Sequence, residues 1–136
     1  MKILMLLDHS FPPDIRVEKE AKALLESGYV IYLLCPSQNN QLLHEVFNGI
    51  RIFRFRFNVE EKKQIRRKLK VLKYLVKLYH SEWVREILKF VEQHKVDAIH
   101  AHDLPLVIPA LVVKKRTGIP VIADLHENFP AALRAW

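Results

Sequence analysis

The sequence predicts an α/β domain: a doubly wound, mostly parallel sheet with helices on both faces. Three features predict it. Short apolar runs of strand length alternate with segments of helical period, the pattern of repeated β-α-β units. The runs are apolar at nearly every position instead of alternating, as strands covered on both faces must be. Gly28 and Gly118 follow two of the helical segments, where left-handed helix ends are made. The chain has 136 residues, half of them hydrophobic, which suits one domain with one core, residues 1–136.

Residues 2–7 (KILMLL) form the first expected strand. A loop with Pro12 and Pro13 follows, and Asp14 is placed to cap a helix from Ile15. Val17, Ala21, Leu24 and Leu25 give that helix one apolar stripe, and Gly28 closes it. Residues 29–34 (YVIYLL) are the second strand, with right-handed parallel pairing to the first expected. Residues 44–47 and 50–57 flank Asn48-Gly49, which predicts a hairpin or a turn into a third strand. Residues 60–80 read as helix, and Ser81 as the cap of a separate helix over 82–94 with Val84, Ile87, Leu88 and Val91 inward. Residues 97–101 (DAIHA), 105–117 and 119–125 (IPVIADL) then give strand, helix and strand, with Pro105 in the first turn and Gly118 as terminator. A further helix begins at 129–136.

Cys35 is the only cysteine, which excludes an internal disulfide and a cysteine metal site and favours a reducing, cytoplasmic compartment. The apolar start is too short for a signal peptide, and the stretch 104–113 is broken by Pro105 and Pro109. Net charge is +7, but residues 51–80 hold eleven Lys/Arg against Glu60 and Glu61, so one segment carries the positive field. Such a segment points to an anionic partner.

In open α/β sheets, ligands bind beyond the carboxyl ends of the strands. The segments expected there are 8–16 (DHSFPPDIR), 35–38, His102-Asp103 and His126-Glu127-Asn128. Histidines and unusual polar pairs gather at these ends, and the opposite loops carry few. His9, Ser10, Phe11, Asp14, Arg16, His102, Asp103, Glu127 and Asn128 are therefore candidate substrate-binding residues, and His126 a candidate for acid/base chemistry. Neither G-x-G-x-x-G nor G-x-x-x-x-G-K-[ST] occurs, which argues against an NAD enzyme or a P-loop NTPase. A phosphate at the first loop would meet a helix amino terminus and Arg16, although Asp14 opposes it and can simply pair with Arg16. His100, His102, Asp103, His126 and Glu127 offer metal-type donors, but two histidines two apart on a buried strand are more often core groups, and no metal is expected. Ser10 lies in no nucleophile elbow.

Lys62, Lys63, Arg66, Arg67, Lys70, Lys73 and Lys77 gather on one side of the 60–80 helix, opposite its apolar stripe. This suits an anionic membrane surface; a solvated outer face is the plainer alternative. Phe53, Phe55 and Phe57 alternate as strand core, so no nucleic-acid platform is expected.

Residues 1–29 (KILMLLDHSFPPDIRVEKEAKALLESGY after Met1) and 97–130 (DAIHAHDLPLVIPALVVKKRTGIPVIADLHENFP) together resemble the amino-terminal domain of family 4 glycosyltransferases. The resemblance implies a Rossmann-like domain, one half of a GT-B fold. That half holds the acceptor, a glycan or lipid-linked sugar. A carboxyl-terminal donor domain, absent from this chain, would hold most of the nucleotide-sugar. No cofactor is implied in this half; the nucleotide-sugar is a substrate of the intact, typically retaining and metal-independent enzyme. By position, His126 matches the histidine that reaches the donor sugar, His102-Asp103 a cleft loop, and 11–16 the first loop, where Ile15-Arg16 replace the usual glycine pair. The single cysteine and the basic segment together give the expected location, cytoplasmic and peripheral on the inner membrane face. The alternatives are a non-catalytic α/β binding module and half of a nucleotide-sugar epimerase.

Overall fold

The computed structural model describes residues 1–38, 41–57 and 71–125, with side chains described throughout except at 71–79. Six strands form one sheet: β1 (Lys2–Leu6), β2 (Val30–Pro36), β3 (His44–Phe47), β4 (Ile50–Phe55), β5 (Ala98–His102) and β6 (Val121–Asp124). Their spatial order is β3-β4-β2-β1-β5-β6. All neighbours are parallel except β3 and β4. The chain therefore winds outward from β1 in both directions, which puts the topological switch between β1 and β5.

Helix α1 (Ile15–Glu26) lies on one face, and α2 (Val71–His94) and α3 (Leu104–Thr117) lie on the other. Alternation along β1 divides the core accordingly. Ile3, Met5 and Leu7 join Val17 and Ala21 of α1, whereas Leu4 and Leu6 join Ile87 of α2 and Leu106 of α3. Trp83 is fully buried and meets Phe55 edge-on at 4.8 Å. Phe53 and Phe57 pack against this second cluster, so the three phenylalanines are core.

The ends of the elements follow local chemistry. Asp14 caps α1 by accepting from Arg16 N at 3.0 Å and Val17 N at 3.3 Å. Gly118 ends α3 at φ 77°, with its N–H bonded to Lys114 O. Asn48 and Gly49 both have positive φ, as a two-residue primed turn requires, and they close β3 antiparallel onto β4.

One expectation is corrected. Ser81 does not start a new helix: α2 runs through it without a break. Ser81 is exposed there, and Trp83, Ile87, Phe90 and Val91 anchor the turns that follow, so packing outweighs a weak capping preference. The sheet strand over DAIHA also extends to His102. The helix expected at 60–80 is described only from Val71, and that expected at 129–136 lies outside the described residues.

Candidate functional site

Strands β1, β5 and β6 all end at the same edge of the sheet because they run parallel, and α1 begins there. Two of the predicted clusters meet at this edge. From the first loop, His9 places Nδ1 3.0 Å from Asp8 Oδ1 and Nε2 3.2 Å from Asp14 Oδ2. A protonated imidazole can donate to both carboxylates at once. Asp14 also holds Arg16, Nη2 to Oδ2 at 3.3 Å. Burial alone would raise the Asp14 carboxyl, but hydrogen bonds from Val17 and Arg16 and the charge of Arg16 bring it below its ordinary value. The hydrogen bond that Arg16 donates to Asp14 raises its pKa against burial, with smaller support from the charges of Asp103 and Asp124. Asp103 directly follows β5 and Asp124 ends β6, so the first loop and the ends of the later strands share one electrostatic neighbourhood.

The second cluster lies beneath. His102 is 1% exposed, with Nδ1 3.6 Å from Asp124 Oδ2 and 3.9 Å from Glu20 Oε2. His100 lies two residues back on the same face, Nε2 4.0 Å from Glu20. Asp103 follows at φ 68° and ψ 150°, a conformation that costs a non-glycine residue about 1–3 kcal/mol. Its N–H is bonded to Asp124 O at 2.9 Å, which holds the turn from β5 into α3 against β6.

The candidates therefore divide. His9, Asp14, Arg16 and Asp103 stand on the rim, with Ser10 half-buried among them. Two calls change. Phe11 is fully buried and meets Phe47 edge-on at 5.9 Å, so it supports the loop from below and offers no open surface. His102 is a floor of the site for the same reason. His126, Glu127, Asn128, Lys62, Lys63, Arg66, Arg67 and Lys70 lie outside the described residues, as do the side chains of Lys73 and Lys77.

Sequence reasoning missed Glu20, Asp124 and Arg54. Arg54 is buried beside the first loop; it donates to Phe11 O at 2.6 Å and Leu42 O at 2.7 Å and pairs with Glu45. Nothing local marks it, because Arg51, Arg54 and Arg56 are each flanked by apolar residues along this run.

This end of the sheet gathers five carboxylates (Asp8, Asp14, Glu20, Asp103, Asp124), three imidazoles and Arg16; Asp8, His9, Asp14, Arg16 and Asp103 make the rim, and Glu20, His100, His102 and Asp124 the floor beneath it. Dense acceptors of this kind suit hydroxyl-rich ligands. The model of the glycosyl transferase 4-like domain matches residues 13–136. The chain belongs to this glycosyltransferase family. Its fold is shared with sucrose-phosphate synthase from Thermosynechococcus elongatus at a TM-score of 0.73 and 12% identity, over 98% of this chain and 35% of that one. It is shared also with a trehalose-6-phosphate structure from E. coli bound with UDP-2-fluoro glucose, at 0.60 and 13%, over 93% of this chain and 33% of that one. This glycosyltransferase domain thus spans about a third of the length of those two chains. No curated protein matches it significantly by sequence. Among the described residues, no helix is long and apolar enough to cross a membrane.

Proposed function

We propose that this chain is the amino-terminal, acceptor-binding domain of a two-domain glycosyltransferase that moves a sugar from a nucleotide-sugar to a glycan or lipid-linked acceptor. The observation that carries the acceptor-side reading is the charge of the switch-point rim. Carboxylates and imidazoles accept from and orient sugar hydroxyls. A diphosphate needs cations or free backbone N–H groups, and here the α1 amino terminus is already occupied by Asp14, which also holds Arg16. The donor diphosphate then belongs to the carboxyl-terminal domain, and His126 keeps the donor-sugar contact that the family resemblance gives it.

Mechanistically, this half supplies position. A rim held by a capped helix, a buried arginine and a strained turn fixes an acceptor hydroxyl, and fixing a nucleophile before reaction removes a large entropic part of the barrier. Retention of anomeric configuration follows from the family resemblance. The basic segment 51–80 supports a membrane-facing acceptor, because its +9 charge would hold the domain at an anionic surface.

The test is transfer by the whole gene product, read as nucleoside diphosphate release over a panel of donors and acceptors, with and without anionic vesicles. Release should require acceptor. Asp103→Asn and His9→Gln should raise KM for acceptor about tenfold or more and leave KM for donor within about twofold, a split that uniform loss of binding predicts. Conversion of the donor without an acceptor would favour the epimerase, and no turnover with any donor the binding module. Failure to pellet with anionic vesicles would remove the membrane part alone.

A further inference from the structure

We propose that Glu20, His100, His102 and Asp124 form a binding site for a divalent cation of the zinc class, which fastens α1 to the β5–β6 half of the sheet. One donor atom from each residue lies within 4.8 Å of the other three. His100 and His102 are two apart on β5, so both rings stand on the α1 face, with centroids 4.3 Å apart and planes inclined by 36°. Asp124 is opposite His102 in the parallel register of β6, and Glu20 reaches over from α1. Three separate elements therefore send ligands to one point.

The chemistry of the set selects the ion. Two imidazole nitrogens and two carboxylate oxygens form a mixed, borderline donor set, which suits Zn²⁺ better than the all-oxygen ions Mg²⁺ and Ca²⁺. With neutral rings the four groups carry two negative charges, which a divalent cation balances. Ligands at Zn²⁺ bond lengths sit about 3.4 Å from one another around a tetrahedron. His102 Nδ1 lies 3.6 Å from Asp124 Oδ2 and 3.9 Å from Glu20 Oε2, separations that close to that value with small side-chain rotations.

The packing gives the site a purpose. Among the described residues, the buried apolar cluster under α1 draws on β1, β2 and β4 and takes nothing from β5 or β6. On that face, β5 and β6 present His100, His102, Ile122 and Asp124, and Ile122 is 52% exposed. Apolar packing thus holds α1 to one half of the sheet only. A cation between Glu20 and the other half would lock the α1 end that carries Asp14 and Arg16 against the strand that carries His102 and leads into Asp103. The ion positions the rim and does not act on substrate.

The test is titration of the chelator-treated chain with Zn²⁺ by calorimetry and with Co²⁺ by visible absorption. One equivalent of each should bind, Co²⁺ should give the intense band of a tetrahedral complex, and Mg²⁺ and Ca²⁺ should bind at least about a hundredfold more weakly. Glu20→Gln and Asp124→Asn keep shape and remove one ligand each; each should weaken Zn²⁺ about tenfold or more. Glu26→Gln, a surface change at the far end of α1, should leave binding unaltered. Zn²⁺ should raise the thermal midpoint of the unmodified chain but not of the two ligand variants. Absence of stoichiometric binding, an octahedral Co²⁺ spectrum, or variants that bind like the unmodified chain would overturn the site and leave the four residues as a polar cluster. None of these readouts uses sugar transfer, so the cation site and the transferase reading fail separately.

Discussion

Asp14 concentrates several roles in one carboxylate. It caps α1 through two backbone N–H groups, holds Arg16, and receives one nitrogen of His9. Loss of a capping side chain costs about 1 kcal/mol. Because its folded pKa is lowered, its contribution is present above the unfolded carboxylate value and is lost as pH falls through the folded one. Asp14→Ala should therefore unfold at lower urea at pH 7, by about 1 kcal/mol, and the gap should narrow below about pH 4 as the native carboxylate takes its proton. Equal stability at pH 7 would show that the cap carries no weight. Cys35 illustrates the opposite case, a group whose chemistry is shut off. Burial pushes its thiol up to about 11, against a Phe11 backbone hydrogen bond and Arg54, so it is an inert core residue at neutral pH.

Helices and strands were legible where local signals and burial agreed. Asp14, Gly28, Asn48-Gly49 and Gly118 each mark a turn that the structure makes, because a capping oxygen or a positive φ is a local requirement. Ser81 misled because it is a capping residue type on an exposed position, and the signal that overrides it, Trp83 and Phe90 anchoring the following turns, is tertiary. The hairpin strand β3 was legible as a strand but not as the sheet edge, since edge position follows from the order of the whole sheet. The end of α3 offers a clean test of the local signals. Gly118 has φ 77°, and a Cβ there would meet nothing within 4 Å. Gly118→Ala therefore isolates the backbone cost and should destabilise by about 1 kcal/mol in chemical denaturation, with Gly118→Asn recovering part of it. An alanine variant as stable as the parent would mean that α3 ends by another route.

The site was legible as a set of strand ends, and only partly as a set of contacts. His9, Asp14, Arg16 and Asp103 could be placed at one edge because parallel strands all finish there. Glu20 and Asp124 could not, because their proximity to His100 and His102 requires knowing that β5, and not β2, lies between β1 and β6. A trace was present: Glu20 sits between Val17 and Leu24 on the apolar stripe of α1, where a solvated acid has no place. Arg54 was unreadable for the same reason, since its partners are backbone oxygens brought in from Phe11 and Leu42 by the fold. It ties the first loop of the site to the β3–β4 edge, and its side chain is 1% exposed while that of Glu45 is 31% exposed. Removing a buried guanidinium strands its acceptors, at a cost of about 3 kcal/mol. Arg54→Met should therefore lower stability by about that amount. Glu45→Gln should cost much less, because that carboxylate can rehydrate. Arg54→Lys should fall between them, since an ammonium cannot serve both carbonyls with the same fork. Denaturant unfolding of the three variants reads this order directly. If Arg54→Met proves as stable as Glu45→Gln, the carbonyls of Phe11 and Leu42 find other donors, and the first loop is held in place by Phe11 packing alone.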